Sequence, residues 1–481
     1  LLPNGHFLFG SELKALLPHP RLPRARDPLA IEDYFAYGYI PEPRTIYSDV
    51  RKLPPGHTLL IEKGQTTLPR TSQYWDVSFR DNGSTSQAGA ERELIDRLRE
   101  AVDIRLVAEV PLGAFLSGGV DSSAIVALMA ELMDQPVKTC AIGFDVAAFD
   151  ETGYARQVAE RYRTDHQTDT VKADDFELLD RLGRLYDEPF ADSSAMPTYR
   201  VCEAARKRVT VALSGDGGDE NLAGYRRYRM HLAEERLRSR LPLALRRPLF
   251  GALGALYPKA DWAPRVLRAK TTFQSLARDS VGAWFHSVSR TTDAQRRALF
   301  SPALRNDLAG YNAVQVLREH ATRAPTDHPL SLVQYLDLKT FLVSILHKVD
   351  RASMAHSLEV RVPLLDHQLV EWMSGLRPEW KLVGGDGKHL FKRALKPFLP
   401  DEIMYRPKQG FSIPLAEWFR GPLRERYREQ VLGEAVTDSG LFDSDYLRLL
   451  QQQHDSGRRD NSVVMWALLM FALSERHLAT S

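Results

Sequence analysis

The chain has 481 residues, 43% hydrophobic and 26% charged, with a formal net charge of +2, the balance of a soluble globular protein too long for one compact core. That balance excludes the basic bias of a nucleic-acid coat or a membrane-surface protein, and no uninterrupted apolar run approaches the roughly 20 residues that span a bilayer. Two cysteines, Cys140 and Cys202, exclude a disulfide framework and show no metal-ligand spacing, so both are expected as buried small hydrophobes in a cytoplasmic protein.

The opening residues, from Leu1 to Gly10, read as an Asn4-Gly5 turn between apolar strand residues, which is the middle of a sheet. An upstream piece is therefore expected. Residues 1–78 carry short β-like runs and turns, such as Gly56 to Glu62 after Leu53-Pro54-Pro55, and read as part of a β-rich domain. Residues 79–89 include Asp81-Asn82-Gly83-Ser84-Thr85-Ser86 and read as an exposed linker, with a second domain from 90 to 481. That domain begins with a helix whose apolar stripe is Leu94, Leu98, Val102 and Leu106. Four strand candidates follow, Gly113 to Leu116, Val137 to Gly143, His166 to Val171 and Val209 to Leu213. Helices are expected at Ser122 to Met133, Glu151 to Tyr162, Phe176 to Tyr186 and Met196 to Lys207. The alternation predicts an α/β fold with a parallel sheet over about 90–225, and mostly helix from about 226 onward. Between Tyr225 and Pro248 lie eight arginines against only Glu234 and Glu235. The simplest reading is a solvated helix face, with an anionic partner as the alternative.

Two loops carry chemistry. Ser117-Gly118-Gly119-Val120-Asp121-Ser122-Ser123 follows the first buried strand and opens a helix, so its backbone N–H groups and the positive end of the helix dipole are placed to meet anionic oxygens. The hydroxyls of Ser117, Ser122 and Ser123 add donors, and Asp121 can hold a divalent cation against phosphates. It is neither a Walker loop nor a dinucleotide turn. Ser214-Gly215-Asp216-Gly217-Gly218-Asp219-Glu220 follows the strand ending at Leu213, and both loops are expected at carboxyl ends of parallel strands, facing one cleft. Beside a triphosphate, Asp219 could share Mg²⁺ with Asp121. A third cluster runs from His347-Lys348 through Asp350-Arg351 to Leu358-Glu359-Val360-Arg361 and Asp366, its charges set in apolar sequence; an internal ion-pair network and substrate binding are both open. A fourth, Tyr405-Arg406-Pro407-Lys408-Gln409-Gly410-Phe411, offers Lys408 to neutralise departing pyrophosphate.

Together with Gly10 to Leu16, Tyr37 to Pro41, Leu53 to His57 and Asp187 to Asp192, these segments resemble the glutamine-hydrolysing asparagine synthetase family over nearly the whole chain. The resemblance implies a class II amidotransferase: a partial glutaminase domain of the Ntn type, then a pyrophosphatase-loop synthetase domain. The synthetase transfers AMP from ATP to the side-chain carboxylate of aspartate, and ammonia from glutamine displaces AMP. It implies ATP and Mg²⁺ as cofactors, small-molecule substrates, no nucleic-acid or membrane partner, and a homodimer as a possible assembly. Carried over by motif, Phe115 and Ile142 line the nucleotide site with Ser117, Gly118, Gly119, Asp121, Ser122, Ser123, Ser214, Gly215 and Lys408. Asp121 and Asp219 hold the metal, and Asp216, Lys408 and Glu359 are catalytic. Asp216 stands where many members have glutamate, next to the forming acyl-adenylate. No amino-terminal cysteine nucleophile is present, so the sequence is expected to be a fragment of a longer protein. Relatives on this scaffold that amidate a sugar acid or close a β-lactam ring are the alternative, as is a nonenzymatic nucleotide-binding scaffold.

Overall fold

The computed structural model describes residues 7–62, 69–144, 152–171, 176–257, 269–406 and 413–480. Within the stretch expected to be β-rich, the described residues form a 3-10 turn at Leu13–Ala15, one α-helix and one hairpin. Helix α1 (Pro28–Tyr37) starts where Asp27 accepts a hydrogen bond from the Leu29 amide at 2.9 Å, with Pro28 in the first turn, and stops at Gly38. The hairpin pairs β1 (His57–Leu60) with β2 (Arg70–Gln73). The α1 side chains do not form a core of their own: Tyr34 and Phe35 pack with Phe471 of the carboxyl-terminal helix, and the Tyr34 hydroxyl donates to the Ala467 carbonyl at 2.7 Å. Residues 79–86 form neither helix nor strand, and Ser86 caps α2 (Gln87–Asp103) by accepting from the Gly89 amide.

From α2 the chain alternates as β3 (Leu112–Phe115), α3 (Val120–Leu132), β4 (Lys138–Phe144), α4 (Thr152–Arg161), β5 (Asp165–Val171), α5 (Leu178–Leu185), α6 (Ala195–Arg206) and β6 (Val211–Leu213). Each lies within about two residues of its expected bounds, the usual scatter of element ends. The sheet has a fifth strand that the sequence reading did not find, β7 (Glu359–Arg361), arriving 146 residues after β6. All pairings are parallel and the order is β5-β4-β3-β6-β7. The chain builds outward from β3 to β5, then returns to the other side of β3 with β6. The order therefore reverses between β3 and β6, the position at which open α/β sheets form a ligand crevice beyond the strand carboxyl ends.

Both faces of the sheet are covered, as a parallel sheet requires. Val211, Leu213 and Ala114 face α2 and α3 through Leu94, Leu98, Ile125 and Leu128. Ala212, Cys140 and Ile142 face a second core with Tyr199 and Cys202 of α6 and with Trp466 to Leu473. Both cysteines are buried as expected.

The sequence beyond β6 is helical in the main, beginning with α7 (Gly218–Asn221), α8 (Arg226–Arg238) and α9 (Leu243–Leu256). Among the described residues one helical run, Pro329–Met354, has the length and hydropathy of a membrane span. It lies inside the fold, where Asp337 accepts from Arg227, Tyr228 and Trp284.

Candidate active site

The first loop is shaped by its own hydroxyls. Ser117 and Ser122 Oγ atoms lie 3.0 Å apart, Ser122 Oγ donates to the Gly119 carbonyl, and the Gly119 amide donates to Ser117 Oγ. Gly118 has φ +69°, and a Cβ there would come 2.5 Å from Tyr154 Cβ and 2.6 Å from the Ala155 amide nitrogen. Only glycine fits this approach to α4. The result aims the first turn of α3 at the crevice, with Asp121 in that turn. Ser123 is fully buried and Ser122 nearly so.

The second loop rises from β6 and touches the first. A Cβ on Gly215 would lie 2.6 Å from the Ser122 amide and 3.0 Å from Asp121 Cβ, so the backbone here passes directly over the α3 amino terminus. Asp216 accepts a hydrogen bond from Ser214 Oγ at 2.5 Å. Glu220 is buried, and burial first and Asp219 second push its carboxyl up to about 7, while the Tyr225 hydroxyl donates to it at 2.6 Å. Gln334 supports the loop from below, its amide donating to the carbonyls of Glu220 at 2.7 Å and Asn221 at 2.9 Å.

Between the loops stands Lys388, a residue that the sequence reading missed. Its Nζ lies 2.5 Å from Asp121 Oδ2 and 2.8 Å from Asp219 Oδ1. Burial alone would lower this ammonium, but the two carboxylates hold it well above the usual lysine range. Lys388 has φ +57°, a left-handed conformation that costs a non-glycine residue about 1 kcal/mol or more. The cost is borne because its amide donates to the Leu222 carbonyl and the following helix, His389–Ala394, buries Leu390 and Phe391. The only sequence cue was a lysine between Gly384-Gly385-Asp386-Gly387 and an apolar helix.

Asp121 and Asp219 thus converge on one cationic position. That position is filled by the Lys388 ammonium; two carboxylates are of the kind that hold Mg²⁺ together with substrate phosphates, and among the described residues no group of three or more His, Cys, Asp or Glu side chains converges to hold a metal ion.

Of the other expected residues, Phe115 ends β3 and packs against the core that contains Ile142, on the adjacent strand β4. Lys408 lies outside the described residues, but Arg406 from the same segment stacks over the Tyr154 ring at 4.7 Å, beside Gly119. Glu359 is not brought to the crevice. It pairs in register with Val211, at the start of β6, is exposed, and accepts from Arg361 Nε at 2.6 Å. Its level along the edge strand β7, opposite the first residue of β6, is short of the carboxyl end.

The cluster around His347 forms an internal network. Lys348 donates to Ser194 Oγ at 2.7 Å and pairs with Asp192 at 3.3 Å. Burial would raise the Asp192 carboxyl, but Lys348, Arg290 and the Ser194 amide and hydroxyl hold it well below the carboxylate range. Arg351 pairs with Glu12 and Asp187, while His347 sits beside the stacked Tyr186 and Phe190 rings, 5.6 Å from each, where burial pushes it down to about 3. The arginine run divides: Arg227, Arg238 and Arg246 have internal partners, the exposed Arg229 donates to the Gly385 carbonyl at 3.3 Å, and Arg226, Arg236, Arg240 and Arg247 are exposed.

Comparison with known proteins matches residues 93–476 to the asparagine synthase family model and residues 1–75 to the glutamine amidotransferase domain model. The chain is 28% identical to asparagine synthetase [glutamine-hydrolyzing] 1 of Bacillus subtilis, covering 98% of this chain and 72% of that protein. It is 31% identical to a putative asparagine synthetase [glutamine-hydrolyzing] of Mycobacterium tuberculosis, covering 93% and 67%. It is 28% identical to the amidase chyE of Penicillium rubens, covering 84% and 64%.

Proposed function

Because the chain belongs to the asparagine synthase family, whose members are ATP-dependent amide-forming ligases, we propose that it activates the side-chain carboxylate of aspartate and converts it to the amide. A carboxylate oxygen bonds to the α-phosphorus of ATP, the bond between α-phosphorus and the bridging oxygen breaks, and pyrophosphate leaves. Ammonia, drawn from glutamine, then bonds to the carbonyl carbon of β-aspartyl-AMP as the bond to the AMP oxygen breaks, giving asparagine and AMP. Activation is needed because a carboxylate is a poor electrophile. The observation that carries this reading is the contact of two glycine-rich loops at the β3 and β6 carboxyl ends, with Lys388 between their acids.

In this reading Gly118, Gly119 and the hydroxyls of Ser117, Ser122 and Ser123 hold the pyrophosphate oxygens, with Ser214, Gly215, Phe115 and Ile142 around the nucleotide. Asp121 and Asp219 hold Mg²⁺, which would neutralise phosphate charge and polarise the α-phosphate. Lys388 steadies both acids and offers charge to the departing pyrophosphate, as does Lys408. Asp216, fixed by Ser214, stands next to the acyl-adenylate. Glu359 has no part in the chemistry, because its exposed carboxylate is held by Arg361 short of the crevice.

Asp216 also supports a second reading, amidation of a different carboxylic acid such as a sugar acid. Its carboxylate is one methylene shorter than the glutamate of many family members and is turned onto Ser214. Pyrophosphate release measured across a panel of carboxylic acids separates the two. Stimulation by aspartate supports the first; stimulation by another acid alone replaces it with the second.

A further inference from the structure

Lys388 stands between the two acids that suit Mg²⁺, and it stands there on a fixed base. Strand β9 (Asp386–Gly387) closes a hairpin with β8 (Leu382–Val383), and the Lys388 amide that follows donates to the Leu222 carbonyl at 2.9 Å. From this anchor the side chain crosses Gly224, where a Cβ would collide with both Lys388 Cε and Asp219 Oδ1. Gly218 backs the other acid as closely, since a Cβ there would collide with Asp121 Oδ1. The ammonium is therefore enclosed by backbone and carboxylate, with only 5% of the side chain exposed.

The two cations compete for the same atoms. Nζ lies 2.5 Å from Asp121 Oδ2 and 2.8 Å from Asp219 Oδ1, and Mg²⁺ binds such oxygens at about 2.1 Å. An ion on Asp121 Oδ2 could lie no further than about 5 Å from an ammonium left on the same oxygen, in a buried place where like charges are poorly screened. The charge sum points the same way. One ammonium against two carboxylates leaves a single negative charge, while α3 turns the positive end of its dipole toward this point and Arg406 brings a guanidinium beside Gly119. The other acids of the second loop are turned elsewhere, Asp216 onto Ser214 Oγ and Glu220 onto the Tyr225 hydroxyl. A polyphosphate supplies the missing anion, because its oxygens can receive both cations at once.

We propose that Lys388 is a resident counter-cation that keeps the metal position until nucleotide binds, so that the divalent ion enters only together with a polyphosphate, onto whose oxygens the ammonium passes. The inference rests on Asp121 and Asp219 being the Mg²⁺ acids. Only the head of a flexible four-carbon stem has to move, since the backbone anchor stays in place. Metal and nucleotide are then coupled, each raising the affinity of the other by the same factor. When no nucleotide is bound, the arrangement keeps two buried carboxylates compensated.

Mn²⁺, which takes the same oxygen ligands, tests this without turnover. Binding of Mn²⁺ alone to the full chain is followed by the electron paramagnetic resonance signal of the free ion. Lys388→Met should bind it roughly tenfold or more tighter than the parental chain, and adding Asp121→Asn should abolish the gain. Should Lys388→Met not fold, the parental chain decides. Mn²⁺ alone should leave its unfolding temperature unchanged, while Mn²⁺ with α,β-methylene-ATP, which cannot release pyrophosphate, should raise it more than the analogue alone. Equal Mn²⁺ affinity in the parental chain and Lys388→Met overturns the proposal, as does a shift of the parental chain by Mn²⁺ alone that Asp121→Asn removes. These readouts use no acid and form no product. A gain of metal binding in Lys388→Met, with no pyrophosphate release by the parental chain on any acid, would contradict the ligase reading and uphold the counter-cation. Pyrophosphate release on aspartate with equal Mn²⁺ affinities would contradict the counter-cation alone.

Discussion

The two glycine-rich loops sit side by side yet are built on different physics. The Ser117 loop is a donor surface: serine hydroxyls, backbone amides and the amino terminus of a 13-residue buried helix, with Asp121 its only acid. The Ser214 loop is an acid platform on a four-residue helix too short to contribute much dipole, carrying Asp216, Asp219 and the buried Glu220. The first is rigid because it continues into the core. The second is rigid because Gln334, Tyr225 and Lys388 hold it from outside. Phosphate affinity should therefore fail when the first loop is altered, and loop geometry should fail when the supports of the second are removed.

The largest effect is expected for Asp121→Asn, which joins the loops chemically. Pyrophosphate release should fall at least 100-fold, about 3 kcal/mol of transition-state stabilisation, with a smaller loss of stability than at Lys388, because Asp219 still pairs with the ammonium. Unchanged turnover would remove Asp121 from the metal assignment.

Lys388→Met separates the loops electrostatically. Removing one partner of a buried ion network leaves its acids uncompensated, so a loss of roughly 3 kcal/mol in stability is expected, together with weaker nucleotide binding. Titration of ATP against the folded fraction distinguishes the two effects. A variant of parental stability would mean that Asp121 and Asp219 do not depend on Lys388.

Lys381, below the second loop, gives a pH signature. It is buried against Gln334 Oε1 at 3.5 Å, and burial pushes its ammonium down to about 7. The folded value lies below the unfolded one, so folding releases a proton between about 7 and 10.5, and this contribution to stability rises with pH across that window. Lys381→Met removes it. The variant should therefore be the more stable protein at pH 7, with an advantage that shrinks by up to about 1.4 kcal/mol per pH unit as pH rises toward 10. Parallel stability curves in urea would contradict the assignment.

The smallest effect is expected at Glu359→Gln. Its carboxylate is exposed and bound to Arg361, so pyrophosphate release should stay within about twofold, in line with the small worth of exposed pairs. A loss above tenfold would place Glu359 in the chemistry after all.

What was legible follows from the same contrast. Strands β3 and β6 could be read because buried apolar runs end in Ser-Gly turns, a local signal, and β4 and β5 because short β-prone runs alternate there with helical stretches. Strand β7 could not, since Glu359-Val360-Arg361 is a three-residue edge segment whose pairing to β6 depends on tertiary contact. Helix α1 carried readable signals in Asp27-Pro28 and Gly38, but the β-like turns around it dominated the reading. Both loops were legible because their chemistry is contiguous. Lys388 was not, because it reaches Asp121 across 267 residues. The buried arginines were missed for the same reason: Arg227 meets Asp337 and Arg238 meets Ser275 far along the chain.

The central claim is that the carboxylate attacks the α-phosphorus of ATP. Incubating the protein with ATP, ammonia and aspartate labelled with ¹⁸O in its side-chain carboxylate tests this directly. Mass spectrometry of the products should find one labelled oxygen in AMP and none in pyrophosphate. Label appearing in orthophosphate, with ADP as the nucleotide product, would contradict it.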